Sequence, residues 1–297
     1  MNWINAIVQG ILVGGLYAMY ATGLSVSFGV MRLVNLAHGD LAVGAAFLAS
    51  TFCLSTGLSP FFSVFIILPI AALFGIGLQL VVFNRVVGAD PAFQIVATFG
   101  LSITLQHVLL QRYAATPRAL NIGDFGNRSL KIIGDDVVVG WFPLTRFIVA
   151  IVMLVALSLF VGRTRLGRAF RATSDDPDTA KLMGINIRSV YVVAFAIAVT
   201  TVAVAGIFNG MQTQFSAGDG PALLIYAFEA VIIGGLHLEI FELGNRVGWK
   251  VHSLSGAASA ATAISRGFHQ RFVADNIDAQ ERFIGHHLRE VDGETRG

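Results

Sequence analysis

The sequence predicts an all-α polytopic membrane protein, a bundle of about seven hydrophobic segments. Three observations carry that expectation. Hydrophobic residues make up 55% of the chain against 13% charged, and mean hydropathy is +0.72, far too apolar for a water-soluble domain. The first 31 residues carry no charge at all. Apolar stretches able, or nearly able, to cross about 30 Å of hydrocarbon recur along the chain to residue 236. The 32 glycines suit closely packed membrane helices, and the lone Cys53 excludes an internal disulfide. A net charge of +2 gives no reason to look for nucleic acid.

The first segment covers 4–30 and meets its first cation, Arg32, only at its far end. A secretory signal would place positive charge ahead of the apolar run, so this reads as an uncleaved span with its N-terminus outside. Asn35-Leu-Ala-His38-Gly39-Asp40 comes next, ahead of the span at 41–57. Two readings stand: a plain turn with Asp40 capping the following helix, or a broken helix beside a solute route. Spans at 60–83 and 92–110 follow. The second of these holds Thr98, Ser102, Thr104, Gln106 and His107, suited to interhelical hydrogen bonds or to a polar path.

Between 111 and 144, the β-branched runs 130–133 and 137–139 flank Gly134-Asp-Asp136 and predict a small hairpin. Spans at 145–161 and 190–212 enclose the polar island at 163–189. The last span, 222–236, contains Glu229, an ionisable residue in an apolar run and so a candidate for the solute route.

The island starts with arginines at 163, 165, 168 and 171 and reads as a short helix, with a second helix start at Ser174-Asp-Asp-Pro177. It is either a basic loop that only sets orientation or a docking element for a partner. Placing it inside puts eight Lys/Arg on the inner face and five on the outer, Arg146 among the five. That bias agrees with an external N-terminus.

Three stretches together, Asn35-Leu-Ala-His-Gly-Asp40, the island from Gly167-Arg-Ala-Phe-Arg-Ala172 to Ala180-Lys-Leu-Met-Gly-Ile-Asn186, and Phe228-Glu-Ala-Val-Ile-Ile-Gly-Gly235, resemble the permease subunits of branched-chain amino acid ABC importers. The likeness is to the shorter of that system's two permease types. It implies a heterodimer with a second, related permease, two cytoplasmic ATPase subunits and a periplasmic solute-binding protein, in a bacterial inner membrane. It also implies that the island is the coupling helix on the ATPase. Gly167, Arg168, Ala169, Arg171, Ala172, Ala180, Gly184 and Ile185 would make that contact, and Asn35, His38, Gly39 and Asp40 would lie at a broken helix. No cofactor is expected on this chain. It has no Gly-rich phosphate loop ending in Lys-Ser/Thr, so ATP falls to the partners.

The chain departs from that pattern after Gly235. Residues 237–297 hold 15 of the 38 charges and five of the seven histidines, and their longest uncharged piece is too short to cross. One reading is a natural cytoplasmic tail; a change this abrupt within a motif points instead to a reading-frame shift near codon 236, which would leave the chain without its last helices. Two substrate alternatives accompany the amino-acid reading: urea and short amides. A rival mechanism is an ion-coupled carrier using Asp40 and Glu229, which would have to face one another. An intramembrane enzyme lacks both His-Glu-x-x-His and Gly-x-Ser-x-Gly.

Overall fold

The computed structural model describes residues 2–236 apart from 115, 127 and 134–136. The expected frame shift falls on 237–297, outside the described residues.

Helix α1, Asn2–Met31, is 30 residues long, and α2 runs His38–Thr56. Gly57, at φ 69°, closes α2 in the left-handed conformation, donating its N–H to Cys53 O at 2.9 Å. Helix α3, Pro60–Leu78, continues through a π-helical turn at Gln79–Phe83 into the short α4, Asn84–Val86. The π turn lets an apolar helix shift its contact face without breaking. Helix α5, Pro91–Tyr113, starts where Asp90 accepts from Ala92 N at 2.8 Å with Pro91 at the first position. Strands β1, Ser129–Ile133, and β2, Val137–Gly140, pair antiparallel from Ser129↔Gly140, and Gln9 Nε2 ties β2 to α1 through Val138 O at 2.8 Å. The expected hairpin is therefore present. Helix α6 is Trp141–Arg163; α7, Arg165–Asp175, and α8, Pro177–Leu182, form the island; α9 is Ile187–Gln212 and α10 is Gly220–Leu236.

Six of these helices are long and apolar enough to cross a membrane. Among the described residues, α10 is a shorter apolar helix. Its first residue, Gly220, is buried, so the helix begins inside the bundle. The core is built around α9, which packs on α1, α2 and α3. In α9, 72% of the apolar window is buried, against 17% in both α5 and α6. Small residues let backbones approach: a Cβ on Gly206 would overlap the backbone of Ala42. Phe65, Leu73, Val96 and Val152 point outward. An apolar outer surface on this scale is stable against lipid or other apolar protein, not water. The chain is a multi-pass membrane protein.

Candidate functional site

At one end of the bundle the island is built as a rigid bracket. Thr164 caps α7, its Oγ accepting from Gly167 N at 2.9 Å. Helix α7 then buries Gly167, Phe170 and Thr173 at threefold spacing, with Phe170 edge-on to Phe160 of α6 at 5.9 Å. A Cβ at Gly167 would run into the Val161 and Phe160 backbone. At the far end of α7 the Arg32 guanidinium donates to the carbonyls of Ser174 (2.9 Å) and Asp175 (3.2 Å), and Ser174 Oγ donates to Gly29 O at 2.5 Å. The bracket is thus bolted to the end of α1.

The helix start expected at Ser174-Asp-Asp-Pro177 is present, and Asp176 both stops α7 and caps α8. Its carboxylate accepts from the Thr179 hydroxyl (2.5 Å) and from the amides of Asp178 (3.0 Å) and Thr179 (3.2 Å). The Thr179 hydroxyl first, then its amide, hold the Asp176 carboxyl below the usual carboxylate range. Helix α8 ends in a Schellman closure, with Ile185 N bonded to Ala180 O and Gly184 N to Lys181 O while Gly184 sits at φ 81°.

These caps sort the expected docking residues. Gly167 and Ala180 face the protein's own interior; Ala169 and Ile185 lean on the core; Gly184 supplies a backbone turn. Arg168 is exposed, while Arg171 and Ala172 are half-buried. Two residues the sequence reading left out dominate the outward face. Leu182 is 87% exposed and Met183 79%, with Arg165, Leu166 and Lys181 nearby in sequence and also exposed. The signal that could have found them is a pair of large apolar residues at a helix end that no amphipathic period buries.

The second constellation lies deep in the bundle. The chain turns at Arg32, beside the island, and re-enters before α2 begins. His38 Nε2 donates to Tyr20 O at 3.1 Å, eleven residues back along α1 and so about 16 Å from that helix's end. Asn35 Oδ1 accepts from Ala37 N at 3.1 Å, holding the turn, and Val34 O takes the Thr98 hydroxyl at 3.3 Å. The N-cap of α2 is Ala37 and not Asp40, which corrects the capping reading. Asp40 lies in the first turn, 1% exposed, its Oδ2 accepting from Ser102 Oγ at 2.5 Å while Gln106 Nε2 donates to the same Ser102 oxygen at 3.2 Å.

The N-terminus of α10 meets α2 at this point. A Cβ on Gly39 would overlap Gly220 O, and one on Gly220 would overlap the Asp40 carboxylate. Two helix N-termini therefore converge on one buried carboxylate whose Oδ1 has no hydrogen-bond donor among the described residues. Irregular backbone at 32–37 and 213–219 is tolerated inside the bundle because protein groups satisfy it. Of the expected solute-route residues, Asn35, His38, Gly39 and Asp40 come together here. Glu229 does not: it is exposed on α10, nine residues and about 13 Å along the helix from Gly220. Asp40 and Glu229 do not face each other, as the ion-coupled reading requires.

Arg146, counted among the outer cations, is 1% exposed within α6. Its guanidinium donates to Gln212 Oε1 and to Leu12 O (3.2 Å), joining α6, α9 and α1. It is a bundle cross-link, and removing it from the outer tally sharpens the charge bias toward the island end.

Comparison with known proteins meets this geometry from the other side. The family model described as "Branched-chain amino acid transport system / permease component" matches residues 6–266. The chain is 29% identical over 251 residues to the high-affinity branched-chain amino acid transport permease BraD of Pseudomonas aeruginosa, covering 79% of this chain and 80% of that protein. It is 26% identical over 256 residues to the corresponding LivH of Escherichia coli K12, covering 80% of each. It is also 33% identical over 217 residues to the fructose import permease FrcC of Rhizobium meliloti, covering 69% of this chain and 58% of that one. No solved structure matches. With a bracketed polar island between membrane helices, broken helices meeting at a buried carboxylate, and a family match across most of its length, the chain belongs to the permease components of the branched-chain amino acid transport system.

Proposed function

We propose that the chain is the membrane-crossing subunit of an ATP-driven importer in a bacterial inner membrane. It carries branched-chain or other hydrophobic amino acids inward. Its partners are a second, related permease, two cytoplasmic ATPase subunits that bind and hydrolyse the ATP, and a periplasmic solute-binding protein. The island faces the cytoplasm, and Leu182 and Met183 insert into the ATPase, flanked by Arg165, Arg168 and Lys181. The observation that carries this is the pairing of those exposed apolar side chains with a frame fixed to α1 and α6. A knob that must transmit force needs a stiff mount, and anchors of this kind dominate binding energy. ATPase closure moves the bracket, Arg32 passes the motion to α1, and the packed helices exchange two arrangements. The junction at Asp40 is where those helices are discontinuous, so it borders the solute route.

The test is uptake of radiolabelled leucine by vesicles with and without internal ATP, paired with retention of the ATPase on the purified permease. Leu182→Glu with Met183→Glu should insert normally yet retain at least about tenfold less ATPase, as for loss of a hot-spot contact. Arg168→Glu with Arg171→Glu should weaken retention by electrostatics and more so at low salt. Uptake driven by a proton gradient with no ATP would overturn the reading.

A further inference from the structure

At the hairpin end of the bundle a pocket of about 340 Å³ is lined by Thr51, Leu54 and Ser55 of α2, Arg112 and Tyr113 of α5, and Arg118. Its volume lies at the lower end of the ~300–1,000 Å³ typical of small-ligand sites. Two guanidinium groups reach it, and among the described residues no carboxylate lines it. Arg118 is held from both sides. Its backbone pairs with Phe215 (N to O 2.9 Å, O from N 2.8 Å), and its guanidinium lies 4.9 Å from the Tyr113 ring, over the Phe47–Tyr113 stack. The Thr51 and Tyr113 hydroxyls hydrogen-bond at 3.1 Å, which fixes the wall between the two arginines. Arg112 approaches the same ring at 6.0 Å.

Among the described residues, neither guanidinium has a hydrogen-bond acceptor and no carboxylate lines the pocket. Thr51, Leu54 and Ser55 share one face of α2, so the apolar Leu54 side chain and the Thr51 and Ser55 hydroxyl oxygens stand side by side. That combination suits a small zwitterion with an aliphatic side chain. From it we infer that the pocket is a receiving site for the transported amino acid at the outer mouth. The Arg112–Arg118 pair takes the α-carboxylate, Leu54 takes the side chain, and the Thr51 and Ser55 oxygens accept from the ammonium. This rests on the amino-acid reading above and adds to it the place of first contact.

The experiment uses the assembled importer in nanodiscs of phosphatidylcholine alone, titrated with labelled L-leucine and with leucinamide, which lacks the carboxylate. Leucine should bind at least about tenfold more tightly than leucinamide, the loss expected when a charge-assisted hydrogen bond goes unmade. Arg112→Gln, on an exposed side chain, should raise the leucine dissociation constant about three- to tenfold and leave leucinamide unchanged. Arg118→Gln should do the same more strongly, and Arg118→Lys should recover part of it. Equal binding of leucine and leucinamide, or indifference of leucine to both arginines, overturns the site. So does an effect of the Arg changes confined to nanodiscs containing phosphatidylglycerol, which would mark a lipid-headgroup contact. If the unmodified importer takes up no amino acid at all, the amino-acid reading fails; if uptake persists while the arginine changes leave leucine binding untouched, only the receiving site fails.

Discussion

At the scale of single residues, the tightest fit is between Gly39, Asp40 and Gly220. Each glycine leaves room that the opposite helix end already fills. Gly39→Ala should therefore cost at least about 1–3 kcal/mol, the usual penalty for overpacking. Gly44→Ala on the same helix, where nothing lies within 4 Å of a new Cβ, should cost nothing. Loss of the monodisperse peak on heating in detergent separates the two. The buried Arg146 gives an asymmetric expectation. Gln212→Ala leaves a guanidinium buried with one partner fewer and should cost about 2–3 kcal/mol, whereas Arg146→Met, which removes the charge altogether, should cost less. Equal costs would show that the cross-link matters by shape alone. Arg146 was hard to read in the sequence because it stands five residues into α6, where a chain position at the water boundary and one inside the bundle look alike. Asp40 was legible as a candidate, but not its partners, since Ser102 and Gly220 are brought to it from distant segments.

At the scale of elements, caps decide where the island starts, breaks and stops. The Ser174–Pro177 cluster announced a helix start, and the structure puts the cap on Asp176. Because Thr179 and two amides hold its carboxyl below the ordinary range, the cap contributes stability in full above the unfolded carboxylate pKa of about 4. That contribution is lost as pH falls through the lower folded value. Hydrogen exchange at the Asp178 and Thr179 amides should stay protected from pH 7 down to about 4 and rise below it. In Asp176→Ala exchange should be fast throughout, and pH-independent protection in that variant would refute the cap. Gly184→Ala should destabilise the end of α8 by roughly 1 kcal/mol, since φ 81° strains any residue with a Cβ. If that change also lowers ATPase retention, the orientation of Leu182 and Met183 depends on the closure. The hairpin at 129–140 was visible as two β-branched runs around a Gly-Asp-Asp turn, because both signals lie within a dozen neighbouring residues.

At the scale of the whole molecule, the assignment of sides is the prediction with most resting on it. In a Cys53→Ser background, Leu182→Cys should react with a membrane-impermeant thiol reagent only from the cytoplasmic side, and Asn121→Cys only from the periplasmic side. Reversed labelling would detach the island from any cytoplasmic motor. Sequencing the coding DNA should show an apolar segment in another frame past codon 236 if the frame was shifted, and none if the tail is native. By itself the sequence determined that the chain lives in a membrane, roughly where its helices lie, and that a basic island interrupts them. Hydrophobicity, charge and turn chemistry act locally, and a bilayer rewards them segment by segment. Tertiary structure alone decided that α2 and α10 begin against each other, that Arg146 is a cross-link, and that Leu182 and Met183 stay uncovered. Those outcomes depend on which distant backbones can approach closely, and nothing in the spacing along one chain records that.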